Sequence, residues 1–334
     1  MSEPPSSVLE VVLDIGQRRI IAGFAGDSYP LTVPYRPQLL ARVADSSSGL
    51  ALLGLDDAAL TCDERAQIVD NLLPENQQIL KKYQSDVGVH WLAENDREQL
   101  LQWLTQVFCY EVMVTPRHCR VILLDSGFSM PMKTMIVSIL LNSIGVKAVE
   151  WLPSPVMTAV ASGVTEAIVL NFGWHHVSLT VVSDLRDVTP LLINRGEARI
   201  SPSLTRLALH YHVWQSHPDE SFDAIERMIT AGEVDNTWDF SSVSDIITQT
   251  VAKLAIDTRP QVLANVMVMG EMVEVPGFVA ALSDYITPRV PGLTPRGTLG
   301  SWRGASLYVS NVLSRYPRPM AITKETYARW AATG

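Results

Sequence analysis

The chain has 334 residues, 47% hydrophobic and 18% charged, with a formal net charge of −9 at pH 7. That acidity excludes a general basic face for nucleic acid, while the length allows an extensive core in one large two-lobed fold or two ordinary domains. Three cysteines in no Cys-x-x-Cys spacing (Cys62, Cys109, Cys119) fit buried, reduced thiols in a cytosolic or nuclear protein. The polar start, Met1 to Ser7, does not read as a signal peptide, and no apolar run approaches the ~20 residues of a membrane span.

Residues 8–34 predict a buried strand, a tight turn around Gly16, a returning strand and a Gly-rich exit closing at Pro30 and Pro34. Residues 38–60 read as irregular, with Ser46 to Gly49 as a turn beside a short strand at Leu50 to Leu53. Asp96 to Tyr110 places Leu100, Leu101, Leu104, Val107 and Phe108 at helical spacing. A short strand is expected before Pro116, then a buried strand of parallel-sheet type at Arg120 to Asp125. Pro131 and Gly145 bracket a crossover helix whose Met and Leu run reads as core. A strand at Val146 to Trp151, a helix from Ser154-Pro155 to Gly163, and a second strand-turn-strand at Ala167 to Val182 follow.

The two strand-turn-strand segments echo one another. Leu13-Asp14-x-Gly16 is matched by Leu170-Asn171-x-Gly173, each heading a strand and helix series. One Asp-x-Gly arises readily by chance; two in the same context imply a duplicated unit.

The residues carry a resemblance to the actin family. Ala22-Gly23-Phe24-Ala25-Gly26-Asp27 is identical to the signature after actin's first hairpin. Val160 to Gly163, Ala264 to Glu271 with Val275 to Phe278, Ser301-Trp302-Arg303-Gly304-Ala305-Ser306, and Ile322 to Tyr327 resemble further actin segments in both halves. The implied fold is α/β and actin-like, of the actin, Hsp70 and sugar-kinase superfamily: two lobes with duplicated mixed sheets flanked by helices. Residues 1–152 and 312–334 would form the first lobe, with a divergent subdomain 2 at about 35–90. Residues 153–311 would form the second, with a reduced subdomain 4 at about 196–252. Within the family, Val114-Thr115-Pro116-Arg117, Leu152-Pro153-Ser154-Pro155 with Met157, and Ile256-Asp257-Thr258-Arg259 resemble the divergent actin-related subunits at the pointed end of dynactin.

In this family the hairpins hold ATP and a hydrated Mg²⁺ through acidic groups and backbone donors, and a Gln and a His position the attacking water. The resemblance places the residual nucleotide cleft at Asp14, Gly16, Gln17, Arg18, Asn171, Gly173 and Gly270. Gln17 and Arg18 replace small turn residues, and Asn171 to His175 replaces Asp-Ser-Gly-Asp-Gly, with Trp174 in the turn. Ser138 falls at the Gln position and Ser178 at the His position. The expectation is no ATPase, no catalytic residue and no metal site. The cofactor expectation is none: Trp174 and Glu271 crowd or repel the phosphate and adenine ends, while Arg18 leaves bound ATP or ADP as an open alternative by offsetting phosphate charge. Adjacent His175 and His176 point to opposite strand faces, so they read as turn or surface residues. Asp14 capping its own turn stands beside a surviving ligand role.

The resemblance implies a non-catalytic actin-related protein capping the pointed end of dynactin's actin-like minifilament. Its implied partners are that filament's actin-related protomers and the pointed-end adaptor subunits, in a cytoplasmic, cytoskeletal hetero-oligomer serving dynein-driven transport. No nucleic acid or membrane partner is implied. The alternative is an actin-related subunit of a nuclear chromatin remodeller; an active sugar-kinase-type ATPase is disfavoured by the altered hairpins.

Overall fold

A computed structural model describes residues 8–16, 19–34, 96–128, 130–173, 177–193, 199–200, 204–217, 220, 222–234, 238–293, 295–316, 318 and 320–332. The chain divides into two compact units: the described residues of Met1–Tyr35, Leu92–Gly163 and Leu299–Gly334, and those of Val164–Thr298.

In the first unit, β1 (Leu9–Ile15), β2 (Arg19–Phe24), β3 (Leu31–Pro34), β4 (Cys119–Asp125) and β5 (Ala148–Pro153) form a sheet in the order β3-β2-β1-β4-β5. The β1–β2 and β2–β3 pairs are antiparallel; β1–β4 and β4–β5 are parallel. Val121 to Leu124 of β4 are all buried, the unbroken apolar run expected of a parallel strand covered on both faces. Helix α1 (Asp96–Gln106) continues as a π-helical turn to Glu111 and packs against the π-helical turn Ile139–Ile144 that ends α2 (Met130–Ser138). Gly145, at φ 85°, closes that second turn with a bond from its N–H to the Leu140 carbonyl. The apolar run is core as expected, with Met132, Ile136, Val137, Ile139, Leu140 and Leu141 buried.

Residues 112–115 form no strand. The chain makes a left-handed kink at Met113 (φ 53°) and a 3₁₀ turn at Pro116–His118. Pro116, lacking an N–H, suits the start of that turn better than a ladder. Cys119 is buried as expected, but Cys109 is exposed on the π-helical turn. Cys62, residues 35–95 and the expected strand at Leu50 lie outside the described residues.

The second unit repeats the plan. β6 (Ala167–Phe172), β7 (Val177–Ser183), β8 (Arg186–Asp187), β10 (Val266–Met269) and β11 (Pro295–Gly297) run in the order β11-β10-β6-β7-β8, with β9 (Arg199–Ile200) also on β7. Again the hairpin is antiparallel and the two following strands are parallel. The short helix α4 (Thr189–Leu192) links β8 to β9, and α5 (Arg206–Ser216), α6 (Phe222–Ala231), α7 (Ser241–Lys253), α8 (Arg259–Leu263) and α9 (Phe278–Ile286) complete the unit. Their apolar faces close one core, centred on Phe278, whose ring contacts Phe172, Trp238 and Phe240 edge-on at 4.9, 5.0 and 5.6 Å.

Helices α3 (Ser154–Ala161) and α10 (Ser301–Asn311) pack on each other, and both belong to the first unit, although residues 153–311 were expected in the second. The cause lies in α10. Its Trp302 bonds to β1, and its Gly304 has no room for a side chain: a Cβ there would lie 1.8 Å from the Met157 carbonyl oxygen of α3. After α10 the chain runs back along β5, where Val149 and Ile322 exchange backbone bonds, into α11 (Lys324–Ala331). Arg318 fastens this return. Its guanidinium, 5% exposed, bonds Glu10 of β1 at 2.6 Å and Glu150 of β5 at 2.9 Å, while Nε donates to the Leu313 carbonyl.

Candidate functional site

Of the expected site residues, Asp14 and Gly16 fall at the C-terminal end of β1, Asn171 and Gly173 at that of β6, and Gly270 directly after β10. Asp14 pairs with Ile21 and Asn171 with Ser178, each seven positions on across its hairpin, so the sequence echo is a structural one. Within the first unit the turn is closed by a bond of 2.9 Å from the Gly16 N–H to the Arg19 carbonyl; a Cβ on Gly16 would lie 3.0 Å from that oxygen. Gln17, Arg18 and Trp174 to His176 lie outside the described residues.

Asp14 reaches beyond its own hairpin. Its Oδ2 accepts a hydrogen bond of 2.8 Å from the Ser301 hydroxyl, at the first residue of α10. Burial pushes the Asp14 carboxyl above the usual carboxylate range, while the Ser301 bond and the Arg19 charge pull the other way. Next to it, the Trp302 indole Nε1 donates to the Val12 carbonyl at 2.9 Å. The Trp302 ring lies so close to β2 that a Cβ on Gly23 would come within 2.7 Å of it. One turn on, the Ser306 hydroxyl accepts from the Gly26 N–H at 2.9 Å and donates to the Asp27 carbonyl at 2.9 Å. Asp27 in turn accepts from the Phe24 N–H at 3.1 Å. The segments Ala22 to Asp27 and Ser301 to Ser306, read separately in the sequence, are therefore one packing unit.

Beside Asp14 on the same sheet edge, Asp125 ends β4. Its carboxylate accepts from the Gly127 and Phe128 N–H groups at 3.0 and 3.1 Å and pairs with Lys133. Lys133 also sits 5.5 Å from the centroid of the Trp151 ring. Ser138, expected at the water-positioning place, lies on α2 and accepts from Asn142. The helix ending before Gly163 is α3, so the residue at its strand-to-helix junction is Ser154. Ser154 is 1% exposed and its hydroxyl has no partner among the described residues, which suits a buried water.

In the second unit the structure brings Asn171 and Gly270 together. Gly270 has φ 101°, and a Cβ on it would lie 2.2 Å from the Phe172 carbonyl oxygen and 2.7 Å from Asn171 Oδ1. Gly173 follows β6 directly, and Ser178 lies opposite Asn171 on β7.

Among the described residues these donor sets suit a divalent cation poorly. Asp14 Oδ2 is engaged by Ser301, Asp125 accepts from two amides and pairs with Lys133, and β6 offers the neutral amide of Asn171 where a hard cation favours carboxylates. Among the described residues no group of three or more His, Cys, Asp or Glu could hold a metal ion, and no described helix is long and apolar enough to cross a membrane. Sequence reasoning missed Ser154, Asp125 and the role of Ser301. The motif around Trp302 was the only signal for Ser301, and it marks the segment rather than its contact.

Two mixed sheets of repeated topology, each with a hairpin at its central strand and helices on its faces, define an actin-type α/β protein. The actin family model matches residues 6–189, more than half of the chain, and the chain belongs to the actin family. No curated protein sequence matches it.

Proposed function

We propose that this chain is a non-catalytic actin-related protein that caps the pointed end of the dynactin actin-like minifilament and recruits the pointed-end subunits, in the cytoplasm and in support of dynein-driven transport. The observation carrying the non-catalytic part is the state of the hairpins: Asp14 is bound to Ser301, and Asn171 stands where an acid would serve a metal. Groups already committed to internal hydrogen bonds do not reorganise cheaply around a phosphoryl-transfer transition state.

The partner assignment rests on the resemblance to pointed-end subunits, and surface chemistry supports it. In the segment Ile256-Asp257-Thr258-Arg259, Arg259 caps α7 through the Leu254 and Ala252 carbonyls at 3.0 and 2.8 Å, while Ile256 is 79% exposed. Leu299, Leu307, Tyr316 and Met320, on or beside α10, are also exposed. Large apolar side chains left in water suit protein contacts. Affinity capture of the tagged full chain, read by mass spectrometry, tests the assignment. Dynactin subunits are the expected result; a remodelling ATPase and its subunits would move the protein to the chromatin alternative. Steady-state phosphate release from Mg·ATP tests the other half, with no release above buffer expected.

A further inference from the structure

A half-buried carboxylate at the head of a hairpin invites a ligand role, but the hydrogen bonds of this corner run to α10. Ser301 donates to Asp14 at 2.8 Å, Trp302 donates to Val12 two residues earlier, and Ser306 ties down the hairpin exit at Gly26 and Asp27. Glycine is required on both sides of the contact: Gly23 under the Trp302 ring, and Gly304 where α10 meets α3. Ser301 is also the first residue of α10, so the carboxyl lies at the positive end of an 11-residue helix. Ser301 is 3% exposed, and without Asp14 its hydroxyl would lose the acceptor it faces.

We propose that Asp14 is a structural anchor rather than a ligand: with Ser301 it forms a clasp that fixes α10 to the β1–β2 hairpin within the first unit. This deepens the non-catalytic reading and rests on it. Nothing in the clasp requires charge on Asp14, only an acceptor. Asparagine keeps that acceptor; alanine removes it.

Thermal unfolding of the full chain tests the clasp, with and without EDTA, MgCl₂ and Mg·ATP at millimolar concentration. The melting temperature should be the same in all four conditions. Asp14→Asn should melt near the wild type, whereas Asp14→Ala and Ser301→Ala should each melt lower by about 3–6 °C. The double variant should melt no lower than the worse single one, because both remove the same bond. If Mg·ATP or MgCl₂ raises the wild-type melting temperature by about 2 °C or more, and Asp14→Asn abolishes that gain, Asp14 is a ligand and the proposal fails. It fails equally if Ser301→Ala melts with the wild type. Should Asp14→Ala not fold, Ser301→Ala and Asp14→Asn still decide. Phosphate release with an unchanged clasp would remove the non-catalytic reading alone, and capture of unexpected partners would touch neither.

Discussion

The two hairpins share one plan but end their strands differently. Asp14 and Asn171 occupy the same place on their sheets, each one residue short of the strand's last apolar side chain and opposite a partner seven positions on. One rung further across the parallel neighbour, the first unit has Asp125 and the second has Gly270. In the first unit the strand ends are held by polar side chains: Ser301 on Asp14, two amides and Lys133 on Asp125. In the second, backbone presses on backbone at Gly270, above an aromatic core around Phe278. The shared topology and the differing strand ends have separate causes: topology is fixed by the apolar strands, and what happens at their ends by a few side chains.

The sharpest break in the first unit is Arg318→Ala. Glu10 and Glu150, 14% and 10% exposed beside Arg318, would lose their shared cation, and Arg120 pairs with Glu10, at 3.3 Å. Removing one partner of a buried ion network costs about 3–5 kcal/mol. The urea midpoint should fall accordingly, and α11 with its Tyr327 contact to Thr134 should gain hydrogen exchange first. A variant with wild-type exchange in residues 320–332 would show that the Val149–Ile322 pairing alone holds the return.

Glycine substitutions come next and compare the units directly. Gly304→Ala forces a Cβ against the Met157 carbonyl between two helices, and Gly270→Ala forces one against Phe172 at a positive φ. Each should cost about 2–3 kcal/mol. Gly304→Ala should displace α10 and lower protection along the β1–β2 hairpin, whereas Gly270→Ala should act on β6 and β10. If both substitutions loosen the same amides, the division into two units does not describe stability.

Much of this was legible before any coordinates. β4 and β6 announced themselves as unbroken apolar runs, α3 by Ser154-Pro155, the end of α2 by Gly145, and both hairpins by Asp-x-Gly and its echo. What could not be read was contact across sequence distance. Ser301 and Asp14 are 287 residues apart, and nothing local in either says that one will donate to the other. The Arg318 network is equally non-local, and so is the assignment of α10 to the first unit. Residues 112–115 misled because Val112, Val114 and Thr115 have strand propensity while their setting before Pro116 favours a 3₁₀ turn.

A smaller effect separates anchor from ligand by pH. Because burial raises the Asp14 carboxyl above its unfolded value, ionising it opposes folding. Its protonated form is favoured in the fold, so its contribution is fully present below the unfolded value, near 4, and is lost as pH rises through the folded one. Relative to Asp14→Asn, the wild type should therefore gain stability as pH drops across that window. Parallel stability curves for the two proteins would mean that Asp14 stays ionised without penalty.

The smallest effect lies in the second unit and should be stabilising. Ser183 and Arg186 pair across a two-residue turn whose residues, Asp184 and Leu185, both have positive φ, 49° and 57°. Such a turn suits Asn or Asp followed by Gly, and Leu in the left-handed region is strained by its Cβ. The turn's bonds come from the backbone, Asp184 N–H to Glu166 Oε1 at 2.9 Å and Leu185 N–H to the Thr165 carbonyl at 3.2 Å, so a side-chain change leaves them in place. Leu185 is 37% exposed and gives up some apolar contact on truncation. Strain relief should outweigh that loss, and Leu185→Gly should raise the urea midpoint by the equivalent of about 0.5–1 kcal/mol. Leu185→Ala supplies the control, since it keeps the strain and loses the contact. It should unfold no later than the wild type, and a Gly variant that unfolds with the Ala variant would show that the side chain, not the backbone, sets this turn.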